Sequence, residues 1–504
     1  MKNKKASKGF NIALSVILSF IMFVALVAYF ASKWYISIYG DTGFDSIWFT
    51  LTNGIAGAGQ GIVNDYLKKG LLPAVLLSAI LNFILFFIPK KKFGVNIKGK
   101  FKLSIYPFKK WFSSAICLVI SFALIFTASN TVGLNGYVSA SLSQSTLFED
   151  EYINPNDVDI TFPTEKRNLI YIFLESMETT YLSKDDGGGV DDMLIPNLCD
   201  MANENINFSH NGDVGGFHQL SGCSWTVASM LAQTSGVPLK TTYIKGDSFD
   251  NGFFKGLVTL TDILKQNGYY QTLMVGSDAN FAHRDEYYNT HGIDKIYDLY
   301  TAREDKIIPD DYYVWWGYED KHLYEYAKKE LLKISQNGKP FAFTMLTVDT
   351  HHIEGYVCDY CKDEHDNQYE NVISCADRQV KEFLDWLKTQ AFYENTTVVI
   401  TGDHLTMNNN YIAENVSKNY ERHVYNCFVN SAVDSQNTKN RIFSAVDMFP
   451  TTLAAMGCEI EGDRLGIGTN LFSSKKTVLE RKGTEYIDNE IYKGSHYYAD
   501  EFMN

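Results

Sequence analysis

Polar side chains that could bind a metal ion follow two strand-like apolar segments. Glu175 comes directly after the run 168–174, and Asp403 and His404 come just after the run 397–400 and a glycine. In open α/β sheets the functional groups collect beyond the carboxyl ends of the strands. Carboxylate oxygens and imidazole together suit Mn²⁺, Zn²⁺ or a related divalent ion. We therefore predict one metal site here, although each residue alone is also compatible with an ordinary strand-end acid or a common Asp-His pair.

A hydroxyl group that could act as a nucleophile lies in the segment 222–231, which has the pattern of a turn entering a helix. Its Thr226 would stand at the helix start, where a hydroxyl usually caps the backbone. The same place presents free N–H groups to a phosphate. A metal ion touching the hydroxyl would lower its pKa and make it a nucleophile. The sequence leaves both roles open.

The elements that position these residues form one pattern. Short runs rich in β-branched and aromatic residues alternate with longer helical stretches, at 168–174, 270–275, 341–348 and 397–400. This alternation predicts an α/β domain over residues 166–476, with a largely parallel central sheet flanked by helices. Residues 131–165 contain Pro155 and Pro163 and are expected to be a linker, and the Tyr-rich and acidic segment 477–504 a peripheral tail.

The first 130 residues have a different composition. They hold 15 Lys and no Arg against three Asp, a net charge of +12, which leaves −26 for the rest of the chain. Three apolar stretches, at about 10–31, 70–89 and 111–128, are long enough to cross a bilayer core of roughly 30 Å. A signal peptide is the alternative for the first stretch, but its apolar core would be shorter. We predict a membrane anchor of three spans.

Lysine placement predicts the orientation, because cytoplasmic loops accumulate Lys and Arg. Four lysines precede the first span, and eight lie between the second and third, at positions 90–110. Both segments are expected inside the cell, so the α/β domain should lie on the extracytoplasmic face of the cell membrane. The uncharged segment 46–64 is Gly- and Asn-rich and is interpreted as interfacial or re-entrant. The acidic domain also argues against a nucleic-acid partner.

Together these motifs resemble the membrane-anchored phosphoglycerol transferases of the alkaline phosphatase superfamily, the phosphoglycerol transferase I family above all and lipoteichoic acid synthase more distantly. The resemblance covers roughly residues 165–475. It rests on Glu175 after the first strand, Gly222-x-x-Trp225-Thr226, Asp349-Thr350-His351-His352, and Gly402-Asp403-His404-Leu405-x-Met407-Asn408-Asn409. The resemblance implies an alkaline-phosphatase-like fold.

The resemblance also implies roles for particular residues. It makes Glu175, Thr226, Asp403 and His404 a single-metal site, with Mn²⁺ as the ion, Mg²⁺ and Zn²⁺ as alternatives, and Thr226 as the nucleophile. His351, with His352 beside it, matches a histidine that contacts the glycerol phosphate, and Arg284 matches an arginine that steadies phosphate. A tryptophan of the family is replaced here by Ala282, so Asp278 or His283 is expected to help form the glycerol pocket. The alternatives are core histidines and, for Arg284, a solvated ion-pairing face.

The implied reaction transfers phosphoglycerol from phosphatidylglycerol to an extracytoplasmic glycan through a phosphothreonine, releasing diacylglycerol into the bilayer. Phosphoethanolamine transfer, or another phosphodiester hydrolysis, uses the same site logic and stays open. A sulfatase would need a Cys-x-Pro-x-Arg context, which Cys223 lacks. A catalytically inactive, membrane-tethered binding or sensor domain is the alternative from another class.

Cysteines are interpreted by location. Cys117 falls in a span, and the other seven fall in or near the extracytoplasmic domain, where disulfides can persist. A loop disulfide among Cys358, Cys361 and Cys375 is expected rather than a redox motif or half a zinc site, because no second CxxC follows. Cys199 and Cys223 are the second candidate pair.

Overall fold

The computed structural model describes residues 2–40, 43–53, 60–87, 93–97, 101–105, 110–244, 252–351 and 353–503. The chain divides into two compact units. The first comprises Met1–Asp41 and Ala58–Gly136, and the second Thr42–Gly57 and Tyr137–Asn504. After the roles predicted from the sequence, we call them the anchor unit and the catalytic unit.

Within its described residues, the anchor unit contains three helical segments long and apolar enough to cross a membrane: Ile12–Tyr39, Val63–Phe86 and Trp111–Thr131. The predicted number of apolar spans is therefore confirmed. The second segment begins at Val63 and not near residue 70 as expected. The helix that ends at Tyr66 continues through a π-helical turn, Leu67–Leu71, into the next helix. The helices are α1 (Lys2–Tyr39), α2 (Phe44–Asn53, in the catalytic unit), α3 (Gln60–Tyr66), α4 (Leu72–Asn82) and α5 (Lys110–Thr131), with a hairpin of β1 (Phe93–Ile97) and β2 (Phe101–Ile105) before α5.

A seven-stranded sheet organises the catalytic unit, in the order β5-β10-β9-β4-β8-β6-β7. The five strands from β9 to β7 are parallel, and β10 and β5 extend the sheet as antiparallel strands. The predicted α/β fold with a largely parallel sheet is confirmed. The strands are β3 (Ile160–Thr161), β4 (Asn168–Leu174), β5 (Gly216–Phe217), β6 (Tyr270–Val275), β7 (Lys295–Tyr297), β8 (Phe341–Leu346), β9 (Thr396–Gly402), β10 (Val424–Val429), β11 (Glu459–Ile460), β12 (Arg464–Leu465) and β13 (Gly468–Thr469).

Helices cover both faces of this sheet, because alternate residues of the buried strands point to opposite sides. Tyr171 and Phe173 of β4 belong to one apolar core, and Ile170 and Ile172 belong to the other. The helices are α6 (Leu134–Ser141), α7 (Leu147–Glu151), α8 (Pro196–Glu204), α9 (Thr226–Ser235), α10 (Leu260–Gln266), α11 (Arg284–Thr290), α12 (Leu299–Glu304), α13 (Asp320–Ile334), α14 (Gln368–Lys388), α15 (Asn409–Asn415), α16 (Met448–Ala455), α17 (Val478–Lys482) and α18 (Thr484–Tyr492).

The segment expected to be a peripheral C-terminal tail is instead part of the core. Tyr498 and Phe502 are fully buried, and their rings pack edge-on against Phe148, which lies in the segment expected to be a linker. In the same region β3 pairs with β11. Aromatic burial, which composition alone did not reveal, therefore incorporates both flanking segments into the catalytic unit.

The segment 46–64, interpreted as interfacial or re-entrant, falls in two elements, and its residues 54–59 lie outside the described residues. Its position at the membrane stays a prediction. Its first part lies in α2, which belongs to the catalytic unit, and its last residues begin α3 in the anchor unit. Asp45 of α2 is buried, and burial raises the pKa of its carboxyl to about 7. Lys240 is also buried, and its charge interacts with that of Asp45. Burial lowers the pKa of its ammonium group to about 7.

Candidate active site

Glu175 is held rigidly at the carboxyl end of β4. Its backbone N–H donates to the hydroxyl of Thr347 at 2.9 Å, and its carbonyl accepts from the hydroxyl of Thr350 at 2.5 Å. Both threonines follow β8, the neighbouring parallel strand. The hydroxyl of Ser176 donates to Oε1 of Glu175 at 2.9 Å. The carboxylate, which is 2 % exposed, is therefore fixed by its own strand and the next.

Asp403 and His404 follow β9, the parallel neighbour on the other side of β4. Oδ1 of Asp403 accepts the backbone N–H groups of Ser176 and His404, both at 2.7 Å. Its Oδ2 is buried and accepts no hydrogen bond from the described residues. Gly402 permits the tight approach at this strand end, since a Cβ there would lie 1.9 Å from the carbonyl oxygen of Met177.

Thr226 starts α9, but its hydroxyl does not cap the helix: the N-cap residue is Trp225, with no side-chain cap. Oγ1 of Thr226 instead donates to Oε2 of Glu175 at 3.3 Å and lies 3.4 Å from Nε2 of His404. Deeper in α9, the hydroxyl of Ser229 donates to the carbonyl of Asp403. The helix start is thus bound to the end of β9, and the threonine faces the site.

The geometry of these residues fits a divalent cation. Ligand atoms of Glu175, Asp403 and His404 all lie within 4.8 Å of one another. Nδ1 of His404 is 2.9 Å from the carbonyl of Leu405, so an N–H there leaves the lone pair of Nε2 to face the two carboxylates. The unsatisfied Oδ2 of Asp403 lies 3.3 Å from that Nε2. Buried carboxylates this close require a counter-charge, which a cation would supply.

The pKa values in the site reflect this crowding of charge. Burial, together with the charge of Glu175, raises the pKa of Asp403 to about 7. Burial alone would lower the pKa of His404, but the charges of Asp403 and Glu175 raise it overall. Because both pKa values are raised, Asp403 and His404 hold protons more readily when no metal ion is bound. Metal binding should therefore release protons.

An ion pair between a buried carboxylate and a partly exposed guanidinium supports the loop after β9, and the sequence analysis missed it. Glu178 is fully buried and binds Nε of Arg422 at 2.8 Å and Nη2 of Arg422 at 2.5 Å. Its Oε1 also accepts the backbone N–H of Thr406, two residues beyond His404. Glu178 and Arg422 lie 244 positions apart, so spacing gave no signal for the pair.

Arg284 is buried rather than solvated, which rules out the ion-pairing face. Its Nη2 donates to the hydroxyl of Ser277 at 2.8 Å and to the carbonyl of Asp278 at 2.6 Å, and its Nε has no partner within the described residues. Burial lowers the pKa of the guanidinium to about 10, against the opposing charge of Glu175. Arg284 is therefore a buried cation close to the metal ligands.

Asp278 and His283 lie beside Arg284, beyond the end of β6. Asp278 is partly exposed and accepts from the hydroxyl of Tyr300 at 3.3 Å. His283 adopts a left-handed backbone (φ 59°), and burial lowers the pKa of its imidazole. The structure thus places both near the arginine, as the glycerol-pocket prediction requires, without testing that role.

His351 follows Thr350, whose hydroxyl binds Glu175, and is partly buried. Its ring lies 4.4 Å from the ring of Trp316, which in turn packs against Phe281 at 5.4 Å. An aromatic side chain missed by the sequence analysis therefore lies next to this histidine; the Trp315-Trp316-Gly317 run in a loop was the available signal. His352 lies outside the described residues.

A further group of potential ligands was also missed. Ligand atoms of His218, Glu421 and His423 lie within 4.8 Å of one another, and the imidazole of His210 stacks on that of His423 at 3.4 Å. Burial and the charges of the other two histidines lower the pKa of His423 to about 3. These histidines come from two distant chain segments, so no motif announced them.

Fold and site together define an α/β protein with potential metal ligands at the carboxyl ends of its central strands. Residues 167–458 match the family model described as Sulfatase. The chain therefore belongs to the sulfatase family.

Its relatives include transferases. Phosphoglycerol transferase I of Citrobacter koseri is 30% identical over 77% of this chain and 48% of its own length. The enzyme of the same name from Salmonella paratyphi B is 29% identical over 73% and 46%. The predicted resemblance is thus confirmed, and the chain spans about half the length of these relatives. The lipoteichoic acid synthase LtaP from Listeria monocytogenes is a structural neighbour with a TM-score of 0.49 and 20% identity, covering 64% of this chain and 82% of its own.

Proposed function

We propose that this protein transfers phosphoglycerol from phosphatidylglycerol to an extracytoplasmic glycan through a phosphothreonine at Thr226. One observation carries the proposal: the hydroxyl of Thr226, at a helix start, forms no cap and lies 3.3 Å from Glu175 and 3.4 Å from His404. The relatives named phosphoglycerol transferase I support the choice of transferred group.

Glu175, Asp403 and His404 would hold one divalent ion, and we propose Mn²⁺ because the ligands are mixed oxygen and imidazole. When bound, the ion supplies positive charge that favours the ionised threonine hydroxyl. The remaining work belongs to the protein. Thr226 already donates to Oε2 of Glu175, which gives the direction in which its proton leaves.

In the first half-reaction, Oγ1 of Thr226 forms a bond to phosphorus and the bond from phosphorus to the diacylglycerol oxygen breaks. The diacylglycerol oxygen takes a proton and the lipid remains in the bilayer. Arg284 and the N–H groups at the start of α9 are positioned to neutralise the charge on the non-bridging oxygens. The N–H groups belong to the helix start that carries Thr226, and the charge of Arg284 interacts with that of Glu175.

In the second half-reaction, a glycan hydroxyl attacks the same phosphorus and Thr226 leaves, regaining its proton. His351 is our candidate for protonating the diacylglycerol oxygen in the first step and for taking the proton of the glycan hydroxyl in the second, because imidazole is the commonest general acid and base in enzymes. Its connection to the site runs through Thr350, which binds the Glu175 carbonyl. Trp316 beside it would fix the ring orientation.

We also infer that the catalytic unit lies on the extracytoplasmic face. Because α2 belongs to the catalytic unit, residues 44–53 and 137–503 lie on the same side of the membrane. The chain between them must then cross an even number of times, which agrees with the two helices Val63–Phe86 and Trp111–Thr131. The lysines at 90–110 favour the cytoplasm for the loop between those helices.

The test is intact-mass spectrometry of the full chain in detergent, incubated with Mn²⁺ and phosphatidylglycerol but no acceptor. We expect a glycerophosphoryl adduct on Thr226 together with released diacylglycerol. Thr226→Val keeps the side-chain shape and should show no adduct, whereas Thr226→Ser keeps a hydroxyl and should retain one. An adduct on Thr226→Val, or full turnover by it, would remove the proposed mechanism.

Substitution of the lipid separates the alternatives. An adduct with phosphatidylethanolamine alone would keep the site and change the donor. Release of glycerol phosphate without an adduct would indicate a hydrolase. Absence of any reaction and of Mn²⁺ binding would favour the binding or sensor domain.

A further inference from the structure

Three cysteines outside the active site converge where the segment after β8 meets α14. Cys358 and Cys361 lie on a turn in that segment, and Cys375 lies on α14. Their sulfur atoms are all within 4.8 Å of one another. Cys358 and Cys375 are buried, and Cys361 is partly exposed.

The disulfides expected from the sequence do not form. All eight cysteines, including Cys199 and Cys223, are free thiols. The sulfur atoms of Cys358 and Cys361 are 3.7 Å apart, in hydrogen-bonding rather than covalent contact. Three sulfurs in one cluster also exceed what a single disulfide can use.

We propose that Cys358, Cys361 and Cys375 bind a Zn²⁺ ion that fixes the segment after β8 to α14. Tetrahedral zinc with sulfur ligands at about 2.3 Å separates neighbouring sulfurs by about 3.8 Å. The sulfur atoms of Cys358 and Cys361 are 3.7 Å apart, which matches this sulfur–sulfur separation. Thiolates select soft or borderline ions such as zinc, whereas the oxygen and imidazole ligands of the Glu175 site suit Mn²⁺ as well.

Hydrogen-bond donors surround the sulfur of Cys358. The backbone N–H groups of Tyr360 and Cys361 donate to it. The side-chain amide of Gln379 donates to the sulfur of Cys375 at 3.5 Å. Such N–H donors orient sulfur ligands and stabilise their charge in metal sites. The fourth position is left to water, which reaches the site at partly exposed Cys361.

The ion would stabilise the same segment that carries His351. Tyr356 donates its backbone N–H to the carbonyl of Asp349 at 2.7 Å, and Gly355 donates to the carbonyl of His351 at 3.2 Å. The Cys358–Cys361 turn is therefore linked to His351 through few residues. Binding at the three sulfurs would restrict this connection without touching the Thr226 site.

The experiment loads the full chain in detergent with Zn²⁺ or Co²⁺ and measures metal content and absorption. Thiolate-to-cobalt charge-transfer absorption arises only from sulfur ligands, so it separates this site from the one at Glu175. We expect one zinc equivalent with sulfur ligation in the wild type. Cys361→Ser should reduce zinc affinity about tenfold or more, and Cys458→Ser, a buried cysteine outside the cluster, should not.

Hydrogen exchange supplies the second readout, since Zn²⁺ should slow exchange in residues 353–367 of the wild type but not of Cys361→Ser. Peptide mapping without reductant provides the decisive contrary result. A disulfide joining any two of the three cysteines would overturn the proposal, as would cobalt-loaded protein without the charge-transfer absorption.

Discussion

The ion cluster around Glu151 gives a prediction whose size follows from the structure. Glu151, at the end of α7, is only 5 % exposed. Its carboxylate binds Arg481 at 2.6 Å and 3.0 Å, Arg464 at 2.8 Å and Lys482 at 3.1 Å. These partners come from the C-terminal part of the catalytic unit. We therefore expect Glu151→Gln to destabilise the contact between the two ends of that unit.

The size of the expected destabilisation follows from the shift in the pKa of Glu151. Although burial opposes it, hydrogen bonds and charges from Arg481 and Lys482 lower the pKa of Glu151 from 4.5 to about 2. At about 1.36 kcal/mol per pH unit this corresponds to about 3.4 kcal/mol. Arg481 and Lys482 are about 30 % exposed, so solvent screens part of the attraction. We expect Glu151→Gln to lower the free energy of unfolding by about 2 to 3 kcal/mol at pH 7.

The sign of the pH dependence follows from linkage. Because the folded-state pKa of Glu151 is depressed, its contribution is present above pH 4.5 and lost as the pH falls from 4.5 to about 2. The assay is urea unfolding of the full chain in detergent. Limited proteolysis measures the fraction of the catalytic unit that is unfolded at each urea concentration. Glu149→Gln, an exposed neighbour on α7, is the matched control. The reasoning fails if Glu151→Gln unfolds like the wild type at pH 7, or if their difference persists undiminished near pH 2.

Three further predictions concern the site and its surroundings. Glu178→Gln leaves the partly exposed Arg422 without its counter-charge, so denaturant titration should show a loss of about 1.5 to 3 kcal/mol, with weaker Mn²⁺ binding by calorimetry. Arg284→Gln should raise the KM for phosphatidylglycerol about tenfold or more, because it removes a charge-assisted hydrogen bond; an unchanged KM would exclude it from donor binding. The pKa of His423 is lowered to about 3, so the wild type should lose about 1 kcal/mol between pH 6.5 and 5.5 as the unfolded chain takes up a proton, and His423→Asn should show a flatter profile of unfolding free energy against pH.

Much of the fold could be predicted because each parallel strand is buried on both faces and therefore appears as a short apolar run. Thr226, Glu175 and the Asp403-His404 pair were found for the same reason: they stand just beyond such runs, where strand ends converge. The structure adds the orientations that sequence could not supply. It shows in particular that Thr226 directs its hydroxyl to Glu175 and does not cap α9.

The failures have a common physical cause. Glu178 with Arg422, Phe148 with Tyr498, and the histidines around His423 are contacts between distant segments, and no local periodicity encodes them. The flanking segments looked peripheral because their composition is polar. Three of their aromatic side chains, those of Phe148, Tyr498 and Phe502, are nevertheless buried in the core.

The participation of α2 in the catalytic unit has a consequence for biosynthesis. Asp45 lies near Lys240 and Asp488, whose charges act on its carboxyl group. About 440 residues separate the first and last of these positions, and chain synthesis at about 5–20 residues per second takes roughly 20 to 90 s to cover them. Helix α2 is therefore synthesised early, whereas the segment that contains Asp488 is synthesised near the end. The contacts between them form only after both have been made. Native closure of the catalytic unit is a late event, completed only after the C-terminal residues have been synthesised.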